Sequence, residues 1–137
     1  MSAIDIDFIS PRNSASVTIA KANVIPSITN LTFHDTPSST TATLTCQNVG
    51  HIYTICVPEI TFTGTGAALQ SGVITNLPAP SLTCRWQIVV DIPLLGPTIG
   101  MATITNSQHL TFYLDASGTV FATRAYIIRP CILQYYV

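Results

Sequence analysis

The chain has 137 residues, of which 47% are apolar and only 8% charged, with a formal net charge of −1. An average soluble domain carries about 25% charged residues, so neutral hydroxyls, chiefly Thr and Ser, must keep this surface wet. Five scattered Lys and Arg leave no basic footprint for a phosphate backbone or an anionic lipid, which argues against a nucleic-acid partner.

One domain is expected from this length, with a core that buries roughly two thirds of the surface the unfolded chain exposes. No apolar run approaches the roughly 18 residues of a membrane helix, and the strongest, WQIVVDIPLLG, is broken by Asp91 and Pro93, so no membrane insertion is expected. The opening MSAIDIDFIS has acids where a secretory signal needs positive charge. Synthesis in a cytosol follows as the expectation, and with it free thiols at Cys46, Cys56, Cys84 and Cys131 in preference to a disulfide framework.

In chain order, IDIDFI alternates, and SPRNSASVTIAKANVIPSITN then mixes a possible strand with Pro and Asn breaks. Residues 1–29 therefore read as an arm or added strand, and residues 30–137 as the β domain. HDTPSST (residues 34–40) is a loop by composition. TATLTC puts Ala42, Leu44 and Cys46 on one face of a strand and Thr41, Thr43 and Thr45 on the other. Thr suits both needs of such a strand, since its branched Cβ favours extended backbone and its hydroxyl is polar without charge.

The stretch GVITNLPAPSLTCRWQIVVDIP sets two β-rich runs either side of a Leu-Pro corner. Proline has no N–H to give to a central ladder, so Pro78 and Pro80 mark a crossing between strands, with Leu77 predicted to plug the core beside it. In the run that follows, Leu82, Cys84, Trp86, Ile88 and Val90 are predicted to point inward, with Val89 the exception on the outer face. TNSQ (residues 105–108) is a turn between GMATIT and HLTFYL, and DASG a second turn before TVFATRAYII, so residues 100–128 read as a three-strand meander. CILQYYV is a last strand. No 3.6-residue period persists anywhere, and the fold class is all-β.

Candidate sites are few. No Cys pair has the short separation of structural zinc sites, and Cys46 and Cys84 sit at apolar-face positions, as buried cysteines do; no metal or cofactor is expected. There is no Gly-x-Ser-x-Gly elbow, His34-Asp35 lies in a Pro/Ser loop, and the six acids are dispersed, so no catalytic residue is singled out and a non-enzyme is expected. The Asn30-Leu31-Thr32 sequon matters only in a secreted chain. Tyr53, Tyr113, Tyr126, Tyr135 and Tyr136 are the side chains best suited to stacking on sugar rings or anchoring a protein interface, if they do not serve as core.

NLTFHDTPSSTTATLTCQNVGHIYTICVPEITFTGTG, followed by GVITNLPAP, resembles the C-terminal head domains of trimeric viral fibres and phage tail fibres. The likeness spans residues 30–137 and rests on the strand pair VGHIYTICVPEITFTG, the step ITNLP and the DASG turn. It implies an antiparallel, jelly-roll-like β-sandwich, assembled as a homotrimer on a virion surface, synthesised in the host cytoplasm, whose loops attach to a host glycan or protein. The residues before position 30 depart from that pattern, having no collagen-like or coiled-coil repeat. Apolar residues on both faces of YIIRPCILQYYV, with so few charges, also suggest a surface buried against copies of the chain.

The expected contact loops are Asn106, Ser107, Gln108 and His109, then Asp115, Ser117 and Gly118, whose groups suit weak polar contacts strengthened by threefold avidity. Two rival readings remain. In one, the chain is a capsid-cementing or penton-associated protein whose N-terminal arm docks on another virion protein. In the other it is a polysaccharide hydrolase using Asp91 and Asp115.

Overall fold

A computed structural model describes residues 23–33, 39–71 and 77–137. Residues 34–38 of the loop expected at 34–40, most of the ITNLP step and the first 22 residues lie outside the described residues, while Ser39 and Thr40, expected in that loop, are strand. Those described form ten strands and no helix: β1 (Asn23–Phe33), β2 (Ser39–Val49), β3 (Ile52–Val57), β4 (Ile60–Thr63), β5 (Leu69–Ser71), β6 (Cys84–Ile92), β7 (Gly96–Ile104), β8 (Leu110–Tyr113), β9 (Ala125–Ile128) and β10 (Cys131–Tyr136). β1 spans position 29, and its pairing with β2 shifts register between Ile25 and Ile28 and between Ile28 and Asn30.

Every ladder is antiparallel, and the strands hydrogen-bond in the order β10-β3-β2-β1-β5-β8-β7-β6-β9-β4. The β1–β5 ladder joins only Leu31–Phe33 to Leu69–Ser71, and there the run turns from one layer, β10-β3-β2-β1, into a second, curled one, β5-β8-β7-β6-β9-β4. The core lies between the layers. Leu44, Ile55 and Leu133 reach it from the first, and Leu69, Val90, Ile104, Phe112 and Ile128 from the second. The alternation expected in TATLTC holds where side chains are described, with Ala42, Leu44 and Cys46 buried and Thr43 and Thr45 exposed.

The far side of the molecule is closed by two bent chain paths. β3 continues into β4 through Pro58-Glu59, and β9 into β10 through Arg129-Pro130. Val57 pairs with Cys131 and Ile60 with Ile128, so one register holds on both sides of the bend and sets Pro58 opposite Pro130 and Glu59 opposite Arg129. Two facing prolines offer no N–H to the ladder, which breaks there and lets the ribbon fold from one layer into the other. Arg129 Nη1 donates to Glu59 Oε2 at 3.0 Å and lies 3.4 Å from Asp91 Oδ2. These groups are too exposed to contribute more than about 1 kcal/mol.

Three expectations are corrected here. β8 and β9 do not pair, so residues 100–128 are not a meander: β8 lies between β5 and β7, and β9 between β6 and β4. The DASG turn does form, with Gly118 N–H donating to Asp115 O, but residues 119–124 then cross the end of the core, where Phe121 is fully buried and bridges Ala67. Burying that ring outweighs continuing the hairpin. In VGHIYTICVPEITFTG, β3 and β4 are successive arms of one bent path and do not pair with each other. Leu82 precedes β6 and is 79% exposed, whereas Leu77 is buried beside the proline corner as expected.

Candidate attachment surface

The register of β2, β3 and β10 decides what meets at one end of the core. Asn48 stands opposite Tyr53, and Tyr53 opposite Tyr135. These three lie on the same face as the buried Cys46, Ile55 and Leu133, two positions along each strand. Trp86 of β6 closes the group from the other layer. Its ring centroid is 6.4 Å from that of Tyr135, which stacks on Tyr53 at 5.6 Å and 25°. Tyr135 is buried, while Tyr53 and Trp86 are half-buried.

Two polar tips of this aromatic group, those of Trp86 and Tyr135, are held by backbone carbonyls. β6 follows β9 in one register, with Val90 opposite Ile128 and Arg129 N–H donating to Val89 O, until Pro130 ends the ladder. Beyond the proline, Trp86 Nε1 donates to Gln134 O at 3.0 Å and takes the place of the missing strand-to-strand bond. Tyr135 O–H donates to Pro78 O at 3.0 Å, tying the proline corner to β10. Burial, then the neighbouring Tyr53, Cys46 and Cys84, pushes the Tyr135 hydroxyl up to about 12, so it is a neutral donor at any physiological pH.

The expected loop residues divide between the two ends of the curled layer. Asn106, Ser107, Gln108 and His109 join β7 to β8 at the end where Cys84 pairs with Ile104, the same end as the aromatic group. Asp115, Ser117 and Gly118 follow the opposite end of β8. The four residues of β8 separate the two loops.

Within the first loop, roles also differ. Gln108 has a φ of 62° and its Nε2 donates to Leu77 O, while its N–H donates to Thr105 O at 2.9 Å. His109 Nδ1 lies 2.9 Å from Ser71 O, and Ser71 Oγ accepts the Leu110 N–H at 3.0 Å. Gln108 and His109 therefore pin the loop to the corner and to β5, leaving the exposed Asn106 and Ser107 as the loop's outward groups. Ser107 Oγ shares a hydrogen bond with Thr105 Oγ1 at 2.5 Å.

In the second loop, Asp115 Oδ1 accepts the N–H groups of Ser117 at 2.9 Å and Thr119 at 3.1 Å. Bonds from Thr119 and Ser117 hold its carboxyl below the usual range. That carboxylate shapes its own turn, and Gly118, at a φ of 84°, completes it. Asp91, the other acid considered for hydrolysis, faces Arg129.

Tyr126 is core, stacked on Phe62, and Tyr113 is half-buried, which leaves Tyr136 as the exposed tyrosine, turned to the outer face. The four cysteines are unpaired thiols, and burial pushes Cys46 and Cys131 up to about 11. Among the described residues no three His, Cys, Asp or Glu side chains gather as a metal site, and no helix is long and apolar enough to cross a membrane.

No protein-family model matches the chain, and no curated protein matches it. Sequence reasoning named Tyr53 and Tyr135 but missed their partner Trp86 and the amide of Asn48. The signal was present in the spacing. QNVGHIY places Asn48 and Tyr53 immediately either side of Val-Gly-His-Ile, so a hairpin centred there sets them opposite one another.

Proposed function

We propose that the chain is a non-enzymatic structural protein of a virus particle: a jelly-roll-like β-sandwich head, assembled as a homotrimer, that attaches to a host-surface glycan or protein. The observation that carries this reading is the half-open aromatic group of Tyr53, Trp86 and Tyr135. Asn48 and the Asn106-Ser107 turn belong to the same end of the core. Aromatic faces take the C–H side of a sugar ring, while amides and hydroxyls take its polar edge. Affinity at one such site is low, and three copies presented together raise it through avidity.

The first test is light scattering during size-exclusion chromatography. A trimer of 14.7 kDa chains has a mass of about 44 kDa, and a stable monomer overturns the trimeric reading. Glycan arrays then compare the native chain with Trp86→Ala and Asn106→Ala. Binding that both folded variants retain at full strength removes the aromatic end from the proposal.

A second reading, attachment to another virion protein, is favoured by the β6–β7 hairpin. Leu94 is fully exposed and Leu95 67% exposed at its tip, a chemistry suited to an apolar protein pocket more than to a sugar. Loss of particle incorporation in a Leu94→Ser, Leu95→Ser double variant, with glycan binding unchanged, selects this reading.

A further inference from the structure

At the aromatic end, some polar groups are already engaged by the fold and others are not. Trp86 Nε1 donates to Gln134 O and the Tyr135 hydroxyl to Pro78 O, so those two rings keep no donor for a ligand. The Tyr53 hydroxyl has no partner among the described residues. Asn48 Nδ2 donates to Gly50 O at 3.1 Å, which leaves its Oδ1 as an acceptor. Asn48 and Tyr53 are cross-strand partners, a relation that sets Cβ atoms about 4.5–5.5 Å apart. Both are half-buried, on the face that carries Tyr135, so the half-open rings are joined by one phenol hydroxyl and one amide oxygen.

Charge is placed elsewhere. Glu59 and Asp91 share Arg129 at the bend, and Asp91 lies about 16 Å along β6 from Trp86 at the rise of a strand. Asp115 is bound into its own turn after β8, and Arg124 belongs to the crossing segment, where its carbonyl accepts the Gly64 N–H. Arg85 precedes Trp86 and stands opposite Thr103. Successive side chains of a strand point to opposite faces, so this exposed guanidinium belongs to the outer face. Among the described residues, no Lys, Arg, Asp or Glu shares the inner face with Tyr53, Trp86 and Tyr135.

A sugar ring fits this set if it is uncharged. Its C–H face lies on an indole or phenol ring. A hydroxyl both donates and accepts, so one can give its hydrogen to Asn48 Oδ1 while its neighbour accepts from the Tyr53 O–H. A carboxylate or sulfate only accepts. It would meet the Asn48 oxygen, another acceptor, and would leave water with no cation to replace it, which is costly in a half-buried site. We infer that the aromatic end takes an uncharged sugar, with Asn48 and Tyr53 reading two neighbouring hydroxyls, and that it discriminates against the carboxylated and sulfated forms of that sugar. The inference rests on the attachment reading and narrows it to a neutral glycan.

Arrays that pair neutral oligosaccharides with their sialylated and sulfated derivatives test it, read with the full native chain at low and at high salt. Neutral members are expected to bind at least severalfold more strongly than their charged counterparts, with no loss at high salt, because there is no ion pair to screen. Tyr53→Phe removes only the hydroxyl and Asn48→Ala the amide. Each is expected to weaken neutral-sugar binding at least severalfold while near-ultraviolet circular dichroism stays unchanged. Stronger binding of the charged members, binding that high salt abolishes, or full-strength binding by either folded variant overturns the inference and leaves the attachment reading standing. A native chain that binds no glycan overturns the glycan reading itself, and the inference with it.

Discussion

Two aromatic groups occupy this core, and they differ in how they are closed. Phe62, Phe121 and Tyr126 meet with ring centroids 4.9 to 5.6 Å apart, and all three are buried. Tyr53, Trp86 and Tyr135 meet at 5.6 and 6.4 Å, and only Tyr135 is buried. The first group is sealed by the crossing segment 119–124, which is held by Phe121 N–H to Ala67 O, Gly66 N–H to Phe121 O and Gly64 N–H to Arg124 O. The second lies where β6 and β10 part beyond Pro130, and a side chain, Trp86, spans the gap. The same residue chemistry therefore stabilises the fold at one site and is left available for contact at the other.

The comparison is broken most directly by truncation. Phe121→Ala should lower unfolding free energy by about 3–5 kcal/mol, because a fully buried ring leaves a cavity that the strands cannot refill. Trp86→Ala should cost only about 1–2 kcal/mol, from half-buried area and one hydrogen bond. Urea denaturation of both decides the point, and an equal or reversed order means that the two groups are not sealed and open as described.

The seal itself is sharpened by Gly64→Ala. A Cβ at Gly64 would meet Ala122 O, Phe121 O at 2.7 Å and the Tyr126 ring at 2.8 Å. Two of these are backbone atoms, which cannot rotate away, so a loss of about 1–3 kcal/mol is expected. Thermal melting reads it. No comparable loss is expected at the open group.

A gain is expected at the hairpin tip. Leu94 sits at a φ of 71°, a left-handed conformation that costs a branched side chain roughly 1–2 kcal/mol and glycine almost nothing. After the extra backbone entropy of glycine is subtracted, Leu94→Gly should raise stability by about 0.5–1 kcal/mol. No change, or a loss, in chemical denaturation would mean that Leu94 already packs on something in solution.

The smallest effect at neutral pH is that of the buried weak acids. Cys46 and Cys131 are raised from 9.0 to about 11, and Tyr135 from 10.0 to about 12. Each is held in its neutral form by the fold, so its contribution is complete below the unfolded value and is lost as pH rises through the folded one. Stability should hold up to pH 9 and fall between pH 9 and 12. The tyrosinate absorbance should show the Tyr135 hydroxyl ionising late, and Trp86→Ala should advance it by opening the group to water.

Some of this was legible in residues taken one strand at a time. The alternation in TATLTC gave the inner face of β2, the TNSQ turn gave the β7–β8 hairpin, and Leu77 next to two prolines gave the plug at the crossing. The bent ribbon also left a trace that strand-by-strand reading passes over. β3, Pro58-Glu59 and β4 have lengths of six, two and four residues, and β9, Arg129-Pro130 and β10 have four, two and six, the mirrored pattern that an antiparallel pair requires.

By itself, then, the sequence determined an all-β chain with a neutral surface, the inward faces of its regular strands and the positions of its tight turns. These follow from local period, backbone freedom and the missing proline N–H, which act over a few residues. Only the tertiary structure decided that β9 leaves β8 to pair with β6 and β4, and that Trp86 joins Tyr53 and Tyr135. Those choices turn on contacts between residues more than thirty positions apart, such as Trp86 with Gln134 and Tyr135 with Pro78. No local pattern encodes such partners, because each is selected by the burial and hydrogen bonding of the whole core at once.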